Sequence, residues 1–315
     1  MTLGLLQVFL PLVAILWLAF GRPLTGIDFA LRVIAAAALL VASAAAGLWL
    51  ALPRAIVLPL GLLLLVALLV ALRALTRQNE PPAIGPIAWV GRGVTAVAAV
   101  VGLWFAGSAF AGRSPPAQPV DLGFPFMEGR YLVTAGGATA LINPHLLSQD
   151  PANPEWRGQS YGVDLVRVDT LGFRTVDRVP FSLPEQPEAY RIFGTTVVAP
   201  CSGRVEQTEN LLPDMPVPVR DTDYPLGNHV VLRCGALIIL LSHLQQGSVT
   251  ISPGTVVRKG DPLAKAGNSG DSAEPHLHIH AQRPAAPGQP LLSGEPVPIR
   301  LIGEYPVRNL HYDVR

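Results

Sequence analysis

The chain reads as two unlike parts: an N-terminal region of four transmembrane helices, then a C-terminal all-β domain built on an antiparallel sheet. Three observations predict this. From Met1 to Gly112 there are eight charged residues, six Arg, one Asp and one Glu, whereas the remainder is polar, rich in Pro and Gly, and holds all seven histidines. Four apolar runs fill the first part, each near or above the ~20 residues that cross a hydrocarbon core. The second part shows short β-branched runs broken by Gly, Pro, Asn and Asp, with no long segment of helical period. A length of 315 residues suits about two domains.

The helices are expected at about 3–20, 29–52, 55–72 and 87–111. No polar face recurs every three or four residues, so none reads as a surface helix of a globular protein. The first run opens without Lys or Arg and ends in bulky Trp17-Leu18-Ala19-Phe20. A cleaved signal peptide has a basic start and a small-residue cleavage site, so this run is expected to be retained. Pro53 and Arg54 mark the turn between the second and third runs. Arg22 and Arg32 flank loop one, Arg73, Arg77 and Arg92 flank loop three, and loop two has only Arg54. Basic residues favour the cytoplasmic side, which puts both termini outside. The expected place is the inner (cytoplasmic) cell membrane, as a multi-pass protein in contact with the lipid bilayer, with the β domain extracytoplasmic. No acidic residue falls within a run, and Asp28 lies at an edge. Transporters usually carry ionisable groups inside their spans, so the helices read as an anchor or a platform for a partner. A net charge of +1 without a basic cluster argues against nucleic acid.

Residues 113–123 form a linker whose Ser114-Pro115-Pro116-Ala117-Gln118-Pro119 is extended and semi-rigid, and the β domain is expected over 124–315. Strands are expected at Tyr161–Val168, Thr195–Ala199, His229–Arg233, Ala236–Leu241 and Ser248–Ile251. Gly254–Gly267 reads as a hairpin of two short strands around Lys259-Gly260-Asp261, similar to hairpins of barrel-sandwich folds. Cys201 and Cys234 either pair, as extracytoplasmic cysteines do, or serve as small buried hydrophobes.

Chemistry concentrates in Pro275-His276-Leu277-His278-Ile279-His280. On a strand, residues two apart share a face, so the three imidazoles project together, an arrangement suited to zinc. Asp164 sits between apolar residues in Tyr161-Gly162-Val163-Asp164-Leu165, and a buried carboxylate calls for a cation. His243 ends the apolar strand Leu240-Leu241-Ser242-His243.

In this order, Asp, His and then His-x-His behind Gly267-Asn268-Ser269-Gly270, the pieces resemble the lysostaphin-type (LytM-like, M23) zinc endopeptidases that cut peptidoglycan cross-bridges. Val198-Ala199-Pro200-Cys201-Ser202-Gly203-Arg204-Val205, Gly227-Asn228-His229 and the Gly254–Gly267 segment are similar to the family's other motifs. The resemblance implies a barrel-sandwich-like LytM fold, Asp164 and His278 as ligands of Zn2+, and His276 and His243 as catalytic histidines beside the metal water. Of these, His276 would relay the proton and His243 would stabilise the oxyanion, the division between them being open. The implied substrates are peptidoglycan peptides. The family's commonest pattern has a third ligand four residues before the Asp, where this chain has Ser160. A subgroup with a "GG…N-x-H…Q-x-Y-x-x-D" arrangement is matched by Gly136-Gly137, Asn143-Pro144-His145 and Gln159-Ser160-Tyr161-Gly162-Val163-Asp164, which makes His145 the third ligand. Stretch Gln149–Gly158 is then a loop that lets His145 fold back. The competing reading, resting on Ser160, is an inactive LytM-like regulator that binds and activates another wall hydrolase. A lipoyl-type carrier is disfavoured, because Arg258-Lys259-Gly260-Asp261 lacks the flanking residues of a modified lysine. His280, His229 and His311 have no role in the family pattern.

Overall fold

The computed structural model of the chain describes residues 2–22, 24–80 and 84–315, with side chains of the first helix from residue 5. It divides into two units, Met1–Ala111 and Gly112–Arg315.

The first unit holds α1 (Thr2–Phe20), α2 (Gly26–Ala46), α3 (Val57–Thr76) and α4 (Pro86–Ala111). Three segments, Gly26–Ala46, Arg54–Thr76 and Pro86–Ala111, are long and apolar enough to cross a membrane, while the first helix is shorter over its described part, Leu5–Phe20. Their outer surfaces stay apolar, as Leu58 and Ile87 show with 75% and 88% exposure. The second run was expected to stay helical to residue 52. Instead α2 ends at Ala46, where Gly47 donates its N–H to the Ser43 carbonyl. Glycine is a poor interior helix residue and a good terminator. α3 continues past its expected end to Thr76, with Arg73 in the last turn where a cation suits the free carbonyls. α2 and α4 meet through small residues: a Cβ on Gly102 would lie 3.0 Å from Cβ of Ala38.

Asp28 was expected at the edge of a run. It lies within the first turn of α2, where it closes a capping box with Thr25. Its carboxylate is buried and accepts from Nε of Arg92 at 2.8 Å and from Nη2 at 3.1 Å.

The second unit contains thirteen strands: β1 (Val120–Leu122), β2 (Gly129–Ala135), β3 (Val163–Val168), β4 (Thr196–Val198), β5 (Gly203–Glu209), β6 (Asn228–Cys234), β7 (Leu237–Leu244), β8 (Val256–Val257), β9 (Pro262–Lys265), β10 (Leu277–Gln282), β11 (Pro296–Val297), β12 (Ile299–Leu301) and β13 (His311–Val314). Nine form one sheet in the order β13-β2-β3-β10-β7-β6-β5-β8, with β11 also on β10, and its pairs are antiparallel. β4 pairs with β9, and β1 runs parallel to β12.

Three local expectations are corrected. Ser248–Ile251 is not a strand; Asn210 and Gln245 hold it as a loop. Val256–Val257 and Pro262–Lys265 are strands but do not form a hairpin with each other, since β8 joins β5 in the large sheet and β9 joins β4. Two-to-four-residue strands take whichever edge the core offers, so local turn chemistry does not decide their partner. Residues 120–122 of the expected linker are strand β1.

The core explains the alternation along the chain. Leu277, Ile279 and Ala281 of β10, Val163 and Leu165 of β3, and Ile239 and Leu241 of β7 join one apolar cluster. Ile238 and Leu240 of β7 face the opposite side and pack with Val231 and Leu292. β7 is covered on both faces, which is why its sequence is a continuous apolar run rather than an alternating one. Cys201 and Cys234 are disulfide-bonded.

Candidate metal centre

The site begins with strand register. β10 and β3 are antiparallel neighbours in which His278 stands directly opposite Asp164. Since Leu277 and Ile279 point to the core, His278 and His280 point to the other face. Asp164 projects to that face as well, because Val163 and Leu165 on either side are core residues. Nδ1 of His278 lies 2.9 Å from Oδ1 of Asp164.

His145 reaches the same carboxylate from the segment between β2 and β3. Its Nε2 is 3.0 Å from each Asp164 oxygen. Asn143 places it: the side-chain oxygen accepts from the His145 N–H at 3.2 Å, and the side-chain amide donates to the carbonyls of Gly137 and Gly162. That buried residue ties the glycine turn after β2 to the start of β3, so His145 folds back onto Asp164. The stretch expected as a plain loop contains two 3-10 helices, Pro144–Gln149 and Pro154–Gln159. Ser160 is fully buried and joins them, its hydroxyl donating to the Arg157 carbonyl at 2.6 Å and lying 3.0 Å from that of Ser148.

One ligand atom each from His145, Asp164 and His278 lies within 4.8 Å of the others, the one group of this kind among the described residues. Two imidazole nitrogens and one carboxylate oxygen are a donor set that suits a tetrahedral metal with a position left open. Burial works against the charge on Asp164, yet the adjacent His145 and His276 hold its carboxyl well below the usual range. Burial pulls His278 down to about 4, so its ring is neutral, the form a metal requires. Its Nε2 sits 2.9 Å from Nδ1 of His280. Burial likewise keeps His280 neutral.

His243 and His276 stand beside this cluster with ring centroids 4.6 Å apart. His243 occupies a left-handed backbone conformation, φ +61°, within an irregularity of the β6–β7 pairing. A non-glycine residue there is strained, and such strain gathers at functional positions. Nδ1 of His243 lies 2.9 Å from the Ser269 carbonyl, and Nδ1 of His276 lies 2.9 Å from the Glu274 carbonyl. A carbonyl only accepts, so both rings donate from Nδ1, and the neutral form of either ring carries its lone pair on Nε2. Burial, followed by the neighbouring histidines, holds His243 well below its ordinary value, hence neutral. The neutral His243 ring is therefore a proton acceptor at Nε2. His243 becomes a donor only after it takes a proton. Nε2 of His276 is 3.8 Å from Oδ1 of Asp164.

The Gly-Asn-Ser-Gly segment has a structural task. The Ser269 hydroxyl accepts from the Asn228 N–H and donates to the Leu244 carbonyl, which fixes the carbonyl that holds His243. His229, buried on β6, donates from Nδ1 to the Gly227 carbonyl, and His311 lies on β13 opposite Leu132. Neither belongs to the cluster.

Two contributors were not visible in the sequence. Arg308 donates to the carbonyls of Thr134 and Leu141 and bridges the end of β2 to the His145 segment. Gly162 lies where a Cβ would collide with Cε1 of His278 and stand 3.1 Å from Cδ2 of His145. Gly162→Ala is accordingly expected to push both imidazoles apart and weaken metal binding about tenfold or more, the scale of a disturbed ligand shell, with the fold retained. Zinc titration of the folded variant checks this.

An all-β unit with a His/Asp/His cluster and two further histidines defines the class of a candidate metallohydrolase domain. Residues 189–290 match the model of peptidase family M23 (Peptidase_M23). The match takes in His243, His276 and His278 and begins after His145 and Asp164. No curated protein matches the chain. Among solved structures, the chain is similar to a zinc-containing peptidase from Vibrio cholerae, with 18% identity over 50% of this chain and 35% of that one and a TM-score of 0.30. Similar too are the catalytic domain of lysostaphin from Staphylococcus simulans, at 20% identity over 40% and 68% with a TM-score of 0.26, and Helicobacter pylori Csd3, at 15% identity over 62% and 36% with a TM-score of 0.29. The chain thus spans about a third of the length of the Vibrio cholerae protein.

Proposed function

We propose that the protein is a membrane-anchored zinc endopeptidase that hydrolyses amide bonds in peptidoglycan peptides. All four helices cross the cell membrane, and the β domain works on the extracytoplasmic side. The observation that carries this reading is the convergence of His145, Asp164 and His278, with His243 and His276 alongside and held by backbone carbonyls through Nδ1.

Zinc in this site supplies a Lewis acid and a water acidic enough to ionise near neutral pH. His145, Asp164 and His278 hold it. With zinc bound, Nδ1 of His278 would ligate it and Nε2 of His278 would donate to Nδ1 of His280. Nε2 of His276 accepts the proton that the attacking water gives up, and passes it to the leaving amine. A protonated Nε2, on His276 or on His243, donates a hydrogen bond to the oxygen that gains charge as the amide carbonyl becomes tetrahedral. No side-chain nucleophile is needed, and the disulfide removes both thiols from consideration.

The inactive-regulator reading rests on Ser160. That hydroxyl donates to the Arg157 carbonyl and lies beside Ser148, while Nε2 of His145 lies 3.0 Å from the Asp164 carboxylate, which supports the enzyme reading over the regulator. The test is digestion of purified peptidoglycan by the full-length protein, followed by mass spectrometry of the soluble products. The expected result is fragments with new peptide amino termini, suppressed by a zinc chelator and restored by added zinc. Intact peptidoglycan with zinc-loaded protein would contradict the proposal.

A further inference from the structure

The helical unit contains an apolar groove that ends in a cluster of arginines. The groove, about 850 Å3, lies over α2 between α1 and α4 and is lined by side chains such as Leu10, Val13, Ala35, Leu39, Val94 and Ala98. At one end Trp17, Arg22, Arg32, Gly91 and Thr95 also line a second cavity of about 230 Å3, so the two spaces share a wall. The second cavity is lined by Arg92 and Asp28 as well.

Charge distinguishes this end from an ordinary lipid-facing crevice. The charged residues that line this end are Arg22, Arg32, Arg92 and Asp28, a net charge of +2. Arg92 holds Asp28 with two hydrogen bonds and donates a third to the Thr25 hydroxyl. Arg32 is 4% exposed; it donates to the Gly21 carbonyl at 2.7 Å, and its guanidinium stacks 4.5 Å from the Trp17 ring centroid. Arginines near the ends of membrane helices reach the interface, where lipid headgroups lie. The spaces together have the shape of an amphiphile: a long apolar slot, an indole at the boundary, and a cationic head pocket.

We propose that this groove binds an anionic phospholipid, with an acyl chain along Val13, Leu39 and Val94 and the phosphate against Arg22 and Arg32. The arginine end is the loop-one end, which the positive-inside pattern puts on the cytoplasmic side. That leaflet carries the anionic lipids, and basic pockets between membrane helices recognise their headgroups. Binding would tie the activity or placement of the bundle to the lipid composition of the inner leaflet.

Trp17 lines both spaces and reports occupancy. The full-length protein is reconstituted in phosphatidylcholine vesicles containing phosphatidylglycerol, with bromine on the acyl chains of one lipid or the other. The signal of Trp17 is taken as the difference between the wild-type protein and Trp17→Phe. Brominated phosphatidylglycerol is expected to quench it at a mole fraction about fivefold or more below that needed for brominated phosphatidylcholine, the scale of one arginine–headgroup interaction. Arg22→Gln should reduce that preference about fivefold. Ala98→Leu, which fills the groove and leaves the arginines, should lower quenching by both lipids. Circular dichroism verifies that each variant is folded. Equal quenching by the two lipids overturns the proposal, as does a preference unchanged in Arg22→Gln. Loss of the preference on adding millimolar inorganic phosphate would assign the pocket to a free anion and overturn it too. Absence of quenching by either lipid would mean that protein, such as a second copy of this chain, fills the groove.

Discussion

Asp164→Ala is expected to leave the protein without bound metal and without measurable hydrolysis. The carboxylate is the one acidic member of the cluster and the point on which it converges. Both of its oxygens meet Nε2 of His145, Oδ1 meets Nδ1 of His278 at 2.9 Å, and His276 stands at 3.8 Å. Without it, two neutral imidazoles remain, and the charge that balances a divalent cation is gone. Loss of an outer-shell partner alone costs about 10–100-fold in metal affinity, and removal of a ligand costs more than that. The fold should survive, because the apolar neighbours Val163 and Leu165 carry the packing of β3. Metal content per chain and product release from peptidoglycan check the two halves of the expectation. Bound zinc at the wild-type level in Asp164→Ala would refute the ligand assignment.

His276→Ala and His243→Ala should give the opposite split. Each is expected to keep its metal and to lose about 10²- to 10⁴-fold in turnover, the usual worth of a positioned proton carrier. The reason lies in the tautomers. Both rings spend Nδ1–H on a backbone carbonyl and present Nε2 to the space beside Asp164. Nε2 of His276 stands 3.8 Å from Oδ1 of Asp164, beyond hydrogen-bond length. If the rings work as one relay, the double variant should be little worse than the poorer single one, as happens when groups act as a unit. Steady-state hydrolysis by variants of matched zinc content provides the measurement. Zinc lost in parallel with activity would make these residues ligands or supports instead.

What the sequence disclosed follows from the range of the interactions involved. The alternation Leu277, Ile279, Ala281 against His278, His280 is a local period, and the strand obeys it. The apolar stretches of the first unit are likewise a local property. Strand pairing is not local: Val256–Val257 and Pro262–Lys265 flank a turn yet join different sheets, because the edges of β5 and β4 were open to them. The position of His145 depends on Asn143 bridging Gly137 to Gly162, contacts that a motif hints at but spacing alone does not establish. The left-handed backbone at His243, the reach of Arg308 across from the C-terminal end and the steric role of Gly162 belong to tertiary structure. The ion pair of Asp28 with Arg92 joins residues 64 apart, so an acid that looked peripheral proved to be buried and paired.

The central claim is that His145 supplies the ligand absent at Ser160. Zinc content tests it most directly, measured by elemental analysis on the full-length wild type, His145→Ala and Ser160→Ala after loosely held metal is removed. About one zinc per chain is expected in the wild type and in Ser160→Ala, in line with three protein ligands at a catalytic-type site, and essentially none in His145→Ala. An undiminished zinc content in His145→Ala, or its loss in Ser160→Ala, would contradict it.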